Sequence, residues 1–357
     1  MFVYTRKCFV RNQAIQKCDL EIIKYISRGM KILEQKEIVI DNITEFIEIA
    51  LREKDRILYH PHGYIETVYR GQINKDWQLA PGLLRNTPDS TIREKILHET
   101  LYLNEFIRQM NKECRNLDFF DIMVKAQHYG IPTRLLDVTL NPLVALFFAC
   151  NDAINIYDEG KIPDGAVYIF KNSHMYYQNS YYIQVITYYI FKYRWKMSID
   201  SNPEKIVASE EIKENIRLSQ NILEQDLLNN VKDLDMQHNP KHIGDILNSN
   251  RNYFILPKLS NERIRAQQGA FILFCDYLRK HHGALGKWED VDFNEKDFVK
   301  KSIKLIIKGD KKKKILHDLE SLGISYSTLF PEMEYHARDI VKRININNKK
   351  NYEDEYK

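Results

Sequence analysis

The sequence predicts an α+β fold, and three observations carry that expectation. Runs of β-branched and aromatic residues recur far apart, at 67–72, 165–172, 252–257, 269–275 and 302–309. Between them lie segments whose apolar residues fall at helical spacing. The two kinds of segment do not alternate regularly, as a doubly wound parallel sheet would require.

The first helix is read over Ile43–Leu58, with Asn42 placed to cap it. The strand at Thr67–Gln72 follows, then a turn at Pro81-Gly82 and a charged helical stretch over 91–117. Gly130 and Pro132 break the next helix, and Asn141-Pro142 opens another whose stretch from Leu143 to Ala149 is almost wholly apolar. Residues 165–172, "GAVYIFKN", read as a strand. Past the strands at 252–257, 269–275 and 302–309, a helix at 311–322 and the segment "GISYSTLFPEME" close the fold.

At 357 residues the chain suits two domains, or one domain with a large insertion. The second fits better, because residues 173–250 change character, Tyr-rich at first and then charged and helical. The expected organisation is a helical appendage at 1–37, a first domain part at 38–172, an inserted helical subdomain at 173–250, a second domain part at 251–345 and a disordered tail at 346–357.

Composition narrows the function classes. The 53 basic and 49 acidic residues leave a net charge of +4, without the clustered basic face that nucleic-acid binding requires. The five cysteines (Cys8, Cys18, Cys114, Cys150, Cys275) are scattered with no C-x-x-C pair, which argues against a disulfide framework and a zinc site and for a reducing compartment. His60, His62, His281 and His282 lack acidic or thiol partners at ligand spacing, so no metal is expected. No apolar run nears the roughly 18 residues that span a bilayer, and the N-terminus has no secretory pattern. A soluble, cytoplasmic protein is expected, with no membrane partner.

The most informative short stretch is "TVYRGQ" (67–72). Arg70 places a planar, fixed cation at the end of a strand, where Gly71 lets the backbone bend and approach a ligand closely. Those residues admit two readings, a buried salt bridge or a grip on a phosphate or carboxylate. Four stretches carry a resemblance: "VYRGQ" at 68–72 with Trp77, Pro81 and Arg85 beyond it, "AQHYGIPTRLLDVTLNPLVALFFAC" at 126–150, "RIRAQQGAF" at 263–271 and "LESLGISYSTLFPEME" at 319–334. Together they resemble the FRG domain, named for its Phe/Tyr-Arg-Gly signature, over about residues 40–340 outside the insertion.

The same residues are similar, more distantly, to ADP-ribosyltransferases of the Arg-Ser-Glu type. Tyr69-Arg70-Gly71 resembles their first element and "DVTLNPLVALFFA" their second, with Thr139 near the Ser-Thr position. Their catalytic glutamate would fall at Gln267, which brings no charge, while Glu262 lies five residues earlier. This resemblance implies a core of two packed, mainly antiparallel sheets with flanking helices, and NAD or a related nucleotide as ligand. Arg70, Asp137 and Gln267 would then be the reacting set. Arg70, Gly71, Gln72, His128, Tyr129, Arg134, Thr139 and Gln267 would line the nucleotide. It further implies mono-ADP-ribosyl transfer to a macromolecule, or NAD hydrolysis, of the kind found in bacterial toxins and anti-phage effectors.

Other readings stay open beside it. Arg134 and Asp137 could pair with each other or with Arg70 in a buried network. His128 could cap its helix or relay a proton. The signature residues could serve a non-catalytic ligand-binding or protein-interaction module. The stretch 176–193, with Lys192, Arg194 and Lys196, could stack RNA bases, although Ile183, Ile186 and Ile190 share helical spacing with Tyr193 as a buried face would.

Overall fold

In the computed structural model, residues 36–60, 63–85, 87–151, 162–192, 252–274 and 302–333 are described, with 340, 341 and 344. Eight strands lie among them: β1 (Lys36–Ile40), β2 (Leu58–His60), β3 (Gly63–Gln72), β4 (Leu135–Thr139), β5 (Gly165–Tyr177), β6 (Tyr253–Leu256), β7 (Gly269–Leu273) and β8 (Ser302–Ile307). The helices are α1 (Ile43–Glu53), α2 (Ile92–Gln109), α3 (Asn111–Cys114), α4 (Phe119–His128), α5 (Pro142–Cys150), α6 (Tyr181–Lys192), α7 (Glu262–Ala266), α8 (Lys312–Ser321) and α9 (Tyr326–Leu329). The α+β class is as expected from the sequence.

Helices begin where short polar side chains satisfy their unpaired N–H groups. Asn42 Oδ1 accepts from Glu45 N at 3.0 Å, Asp118 Oδ1 from Asp121 N at 2.8 Å, and Asn141 Oδ1 from Leu143 N at 3.0 Å. Thr91 and Glu94 form a reciprocal capping box on α2. Helix α1 stops at Glu53, short of the expected Leu58, because Leu58–His60 pairs instead with β3.

The expected pair of packed sheets is corrected by the strand pairing. All eight strands belong to one hydrogen-bonded sheet in the order β1-β8-β5-β6-β7-β4-β3-β2, and β5 also pairs with β3. The ladder β3-β5-β6-β7-β4 therefore returns to β3, closing through the pair Tyr69↔Thr139. Closure is possible because β3 and β5 are long, at 10 and 13 residues, and hold different neighbours at their two ends. One end of β5, Gly165–Phe170, pairs with β8, while Met175–Tyr177 pairs with β6. A register shift between Glu66 and Val68 lets β3 follow that bend. Pairing is mainly antiparallel, with β1–β8 and β5–β6 parallel.

Strand β5 runs past residue 172, so Ser173–Tyr177 belongs to the sheet rather than to an insertion. The next helix, α6, buries Ile183, Ile186 and Ile190 against α4 and β7 in a core with Phe120, Phe271 and Leu273. A second core joins α1, α5 and α8 to the other face of β3, β5 and β8. A third takes one face of every strand in the closed ladder, with Val68, Val138, Phe170 and Ile272 among its members. Of the appendage expected over 1–37, residues 1–35 lie outside the described residues and 36–37 open β1; residues 193–250 of the insertion expected over 173–250 and the tail at 346–357 also lie outside them.

Candidate functional site

The Arg-Gly pair is explained by the alternation of β3. Tyr69 is fully buried in the core that α5 helps to form. Gly71 serves the same packing: a Cβ there would sit 1.9 Å from the backbone oxygen of Ala145 and 2.9 Å from Ala149 N, so α5 rests directly on the strand. The close approach expected at Gly71 is thus made to a helix. Arg70 lies between these two residues, with its side chain 19% exposed.

A cleft of about 360 Å³ opens at this point, within the range of small-molecule sites. Arg70, Gly71 and Gln72 of β3 line it, with Asp137 and Thr139 of β4, His128 at the end of α4, and Gln267 after α7. Seven of the residues expected from the sequence are therefore brought together from β3, β4, α4 and the turn between α7 and β7.

Arg70 Nη1 donates to the backbone oxygen of Asp137 at 2.6 Å, and the Asp137 carboxylate lies 4.0 Å away. Arg70 Nε is buried and has no hydrogen-bond partner among the described residues. Burial pushes this guanidinium below its ordinary range, Asp137 opposes the shift, and the nearby Arg85 adds to it. Asp137 is the only carboxylate that lines the cleft among the described residues, and its side chain is 62% exposed. Gln127 Nε2 holds it at 2.9 Å, and Gln127 Oε1 accepts in turn from Thr133.

The opposite wall is built from backbone. Thr139 Oγ1 donates to the carbonyl of Gln267 at 2.7 Å and accepts from Asn141 N at 3.0 Å, so its hydroxyl ties β4, α5 and the turn before β7 together. Gln267 Nε2 donates to Leu329 O at 3.1 Å, and Oε1 has no partner among the described residues. The following residue, Gln268, has φ +45°, a left-handed conformation uncommon outside glycine. Gln72 is 4% exposed and donates to Gln78 O at 3.3 Å, and its buried Oε1 has no partner among the described residues.

Two expected site residues lie elsewhere. Arg134 is 1% exposed and forms a forked ion pair with Glu99, with Nε–Oε1 at 2.6 Å and a second bond from Nη2 to Oε2, while Nη1 donates to Phe274 O at 3.0 Å. Its role is to hold β4 to α2 behind the cleft. Tyr129 caps α4, is 62% exposed and packs its ring near Phe106, outside the lining. Glu262, the alternative acid, is exposed and outside it too.

The cleft also contains residues that sequence reasoning left out. Arg85 and Trp77 stood in the quoted FRG pattern, and that was the signal available for them. Arg263 lies over the Phe330 ring at 4.5 Å with Glu332 4.0 Å away, a position set by the packing of α7 on α9. Among the described residues no three His, Cys, Asp or Glu side chains gather as a metal site would need, and no helix is long and apolar enough to cross a membrane.

The fold and the cleft together define a mixed α+β domain whose strands close beside an arginine-bearing pocket. Residues 65–156 match the FRG domain family. The matched stretch carries Arg70, Arg85, Gln127, His128, Asp137 and Thr139, whereas Arg263 and Gln267 come from beyond it. Neither the curated proteins nor the solved structures contain a match to the chain.

Proposed function

We propose that the cleft binds NAD or a related nucleotide, with Arg70 on a phosphate and Asp137 and Gln267 toward the ribose. The observation that carries this reading is the meeting of a largely buried arginine and a solvent-reachable carboxylate in one cleft. The part of the Arg70 guanidinium that is exposed at the cleft can donate to a phosphate oxygen there. Gln267 Oε1 is suited to accept from a ribose hydroxyl. Trp77, 51% exposed, offers a ring face at the cleft for stacking.

Breaking the bond between nicotinamide and ribose sends the bonding pair out with nicotinamide and builds positive charge on the sugar. Asp137 is placed to stabilise that charge, the task a glutamate performs in the transferases this chain resembles. Water as nucleophile gives NAD hydrolysis, and an acceptor side chain gives mono-ADP-ribosyl transfer. The proposed setting is a toxin or anti-phage effector.

A second reading is favoured by Gln267 itself. Its amide nitrogen is already engaged by Leu329 O, and it carries no charge, which suits a module that binds nucleotide without turning it over. Nicotinamide release and NAD titration, run on the wild type and Asp137→Asn, separate the two. The catalytic reading expects release that falls about 100-fold or more in the variant while binding persists. Binding without release supports the module, and absence of NAD binding overturns the nucleotide assignment.

A further inference from the structure

We infer that Arg85 is a second anion-gripping residue, acting with Arg70 in the lining of the cleft, and that the pair selects a ligand bearing two linked anionic groups, as a diphosphate does. This rests on the nucleotide reading of the same cleft and names the part of the ligand that supplies most of the recognition.

Arg85 is held as a ligand-facing group would be. It follows a short 3₁₀ turn at Gly82–Leu84, and its Nε donates to Ala80 O at 2.7 Å. Its own carbonyl accepts from Lys95 Nζ at 2.7 Å, and Lys95 is 4% exposed on α2. Leu83 N donates to Thr133 O at 3.0 Å, fastening the same turn to the residues before β4. The guanidinium is therefore anchored through its Nε, Arg85 lines the cleft, and its terminal nitrogens have no acceptor among the described residues.

The local charge is unbalanced. Asp137, the only carboxylate lining the cleft among the described residues, lies 4.0 Å from Arg70 and acts on Arg85 through its charge; it is 62% exposed and already accepts from Gln127. Arg263, the third arginine of the lining, has Glu332 and the Phe330 ring beside it. Burial pushes both Arg70 and Arg85 below their ordinary range, and Asp137 offsets this only in part. One carboxylate or phosphate would satisfy one guanidinium fork. Two anchored guanidinium groups lining one cleft, each with donors left over, call for two anionic groups held close together.

The test is calorimetric titration with inorganic pyrophosphate, inorganic phosphate and NAD on the wild type, Arg85→Lys and Arg85→Gln, each checked for an unchanged urea midpoint. The wild type should bind pyrophosphate at least about tenfold more tightly than phosphate, and Arg85→Gln should lose about 10- to 100-fold for pyrophosphate. Arg85→Lys should lose less, since it keeps the charge and gives up the fork. A measurement on the wild type covers the case in which a variant misfolds: pyrophosphate should shield Arg85 from phenylglyoxal, read by peptide mass spectrometry. Pyrophosphate binding that ignores Arg85, or no protection of Arg85, overturns the inference while NAD binding would keep the nucleotide reading. Arg85-dependent pyrophosphate binding without NAD binding does the reverse.

Discussion

Replacing Glu99 with glutamine tests whether the Arg134 pair belongs to the fold. Both side chains are 1% exposed, and the carboxylate takes two of the arginine's donors. Glutamine keeps the volume and removes the charge, leaving a guanidinium in the interior without its counter-ion. Breaking one partner of such a pair costs about 3–5 kcal/mol, far above the 0–1 kcal/mol of an exposed pair. The pair Glu99→Leu with Arg134→Met should recover much of that loss, because two apolar groups of similar size need no counter-charge. The Phe274 carbonyl would still lose its Arg134 donor, a cost of about 1 kcal/mol. Urea unfolding of the wild type, both single variants and the double variant completes the cycle. The expected midpoint of Glu99→Gln lies about 1 M or more below wild type. A loss under about 1 kcal/mol, or a double variant as unstable as the sum of the singles, would refute the reasoning.

Other outcomes follow from the same contacts. Gly71→Ala puts a methyl group 1.9 Å from the Ala145 carbonyl, backbone against backbone, so β3 and α5 must separate. The expected loss is about 3 kcal/mol or more, at the upper end for overpacking, and an unchanged urea midpoint would contradict the packing role. Burial pushes Asp164 up, but bonds from Gly309 N, Lys308 and Lys75 outweigh it and hold the carboxyl below its ordinary value. Its stabilising effect is therefore complete above the unfolded value near about 4 and is lost as pH falls through the lower folded value. Stability measured against pH should show a steeper acid limb in the wild type than in Asp164→Asn; equal limbs would speak against the cluster. The Cys150 thiol is fully buried and pushed up to about 12 by that burial, with Lys312 opposing, and Cys114 is raised as well. Neither should react with a thiol reagent at pH 8 until the protein is denatured, as peptide mass spectrometry would show; labelling of Cys150 in the native protein would contradict the packing around α5.

Much of this was readable in the sequence, for local reasons. Asn42, Asn141 and Pro142 mark helix starts because capping depends on neighbours a few residues away. Strands β3, β5, β6, β7 and β8 were visible as β-branched runs. The closure of the ladder was not, because it depends on β5 meeting β8 at one end and β6 at the other, pairings between residues more than 70 apart in sequence. The polar, Tyr-rich run Ser173–Tyr177 hid the last part of β5, although Ser173 is 4% exposed. The two arginines Arg70 and Arg134 look alike as letters, and only the position of Glu99 on α2 separates the structural one from the cleft one. Gly71 was read as letting the backbone approach a ligand, but the group packed against it is helix α5, which the sequence does not say.

The most direct test of the central claim is Arg70→Ala, with urea stability and NAD titration measured on the same sample. Arg70 makes one bond to a strand carbonyl and keeps its side chain 19% exposed, so its removal should cost no more than about 1–2 kcal/mol. A folded variant that has lost NAD binding is the predicted result. A loss of about 3 kcal/mol or more with NAD binding retained would show that this arginine holds the fold and not the ligand.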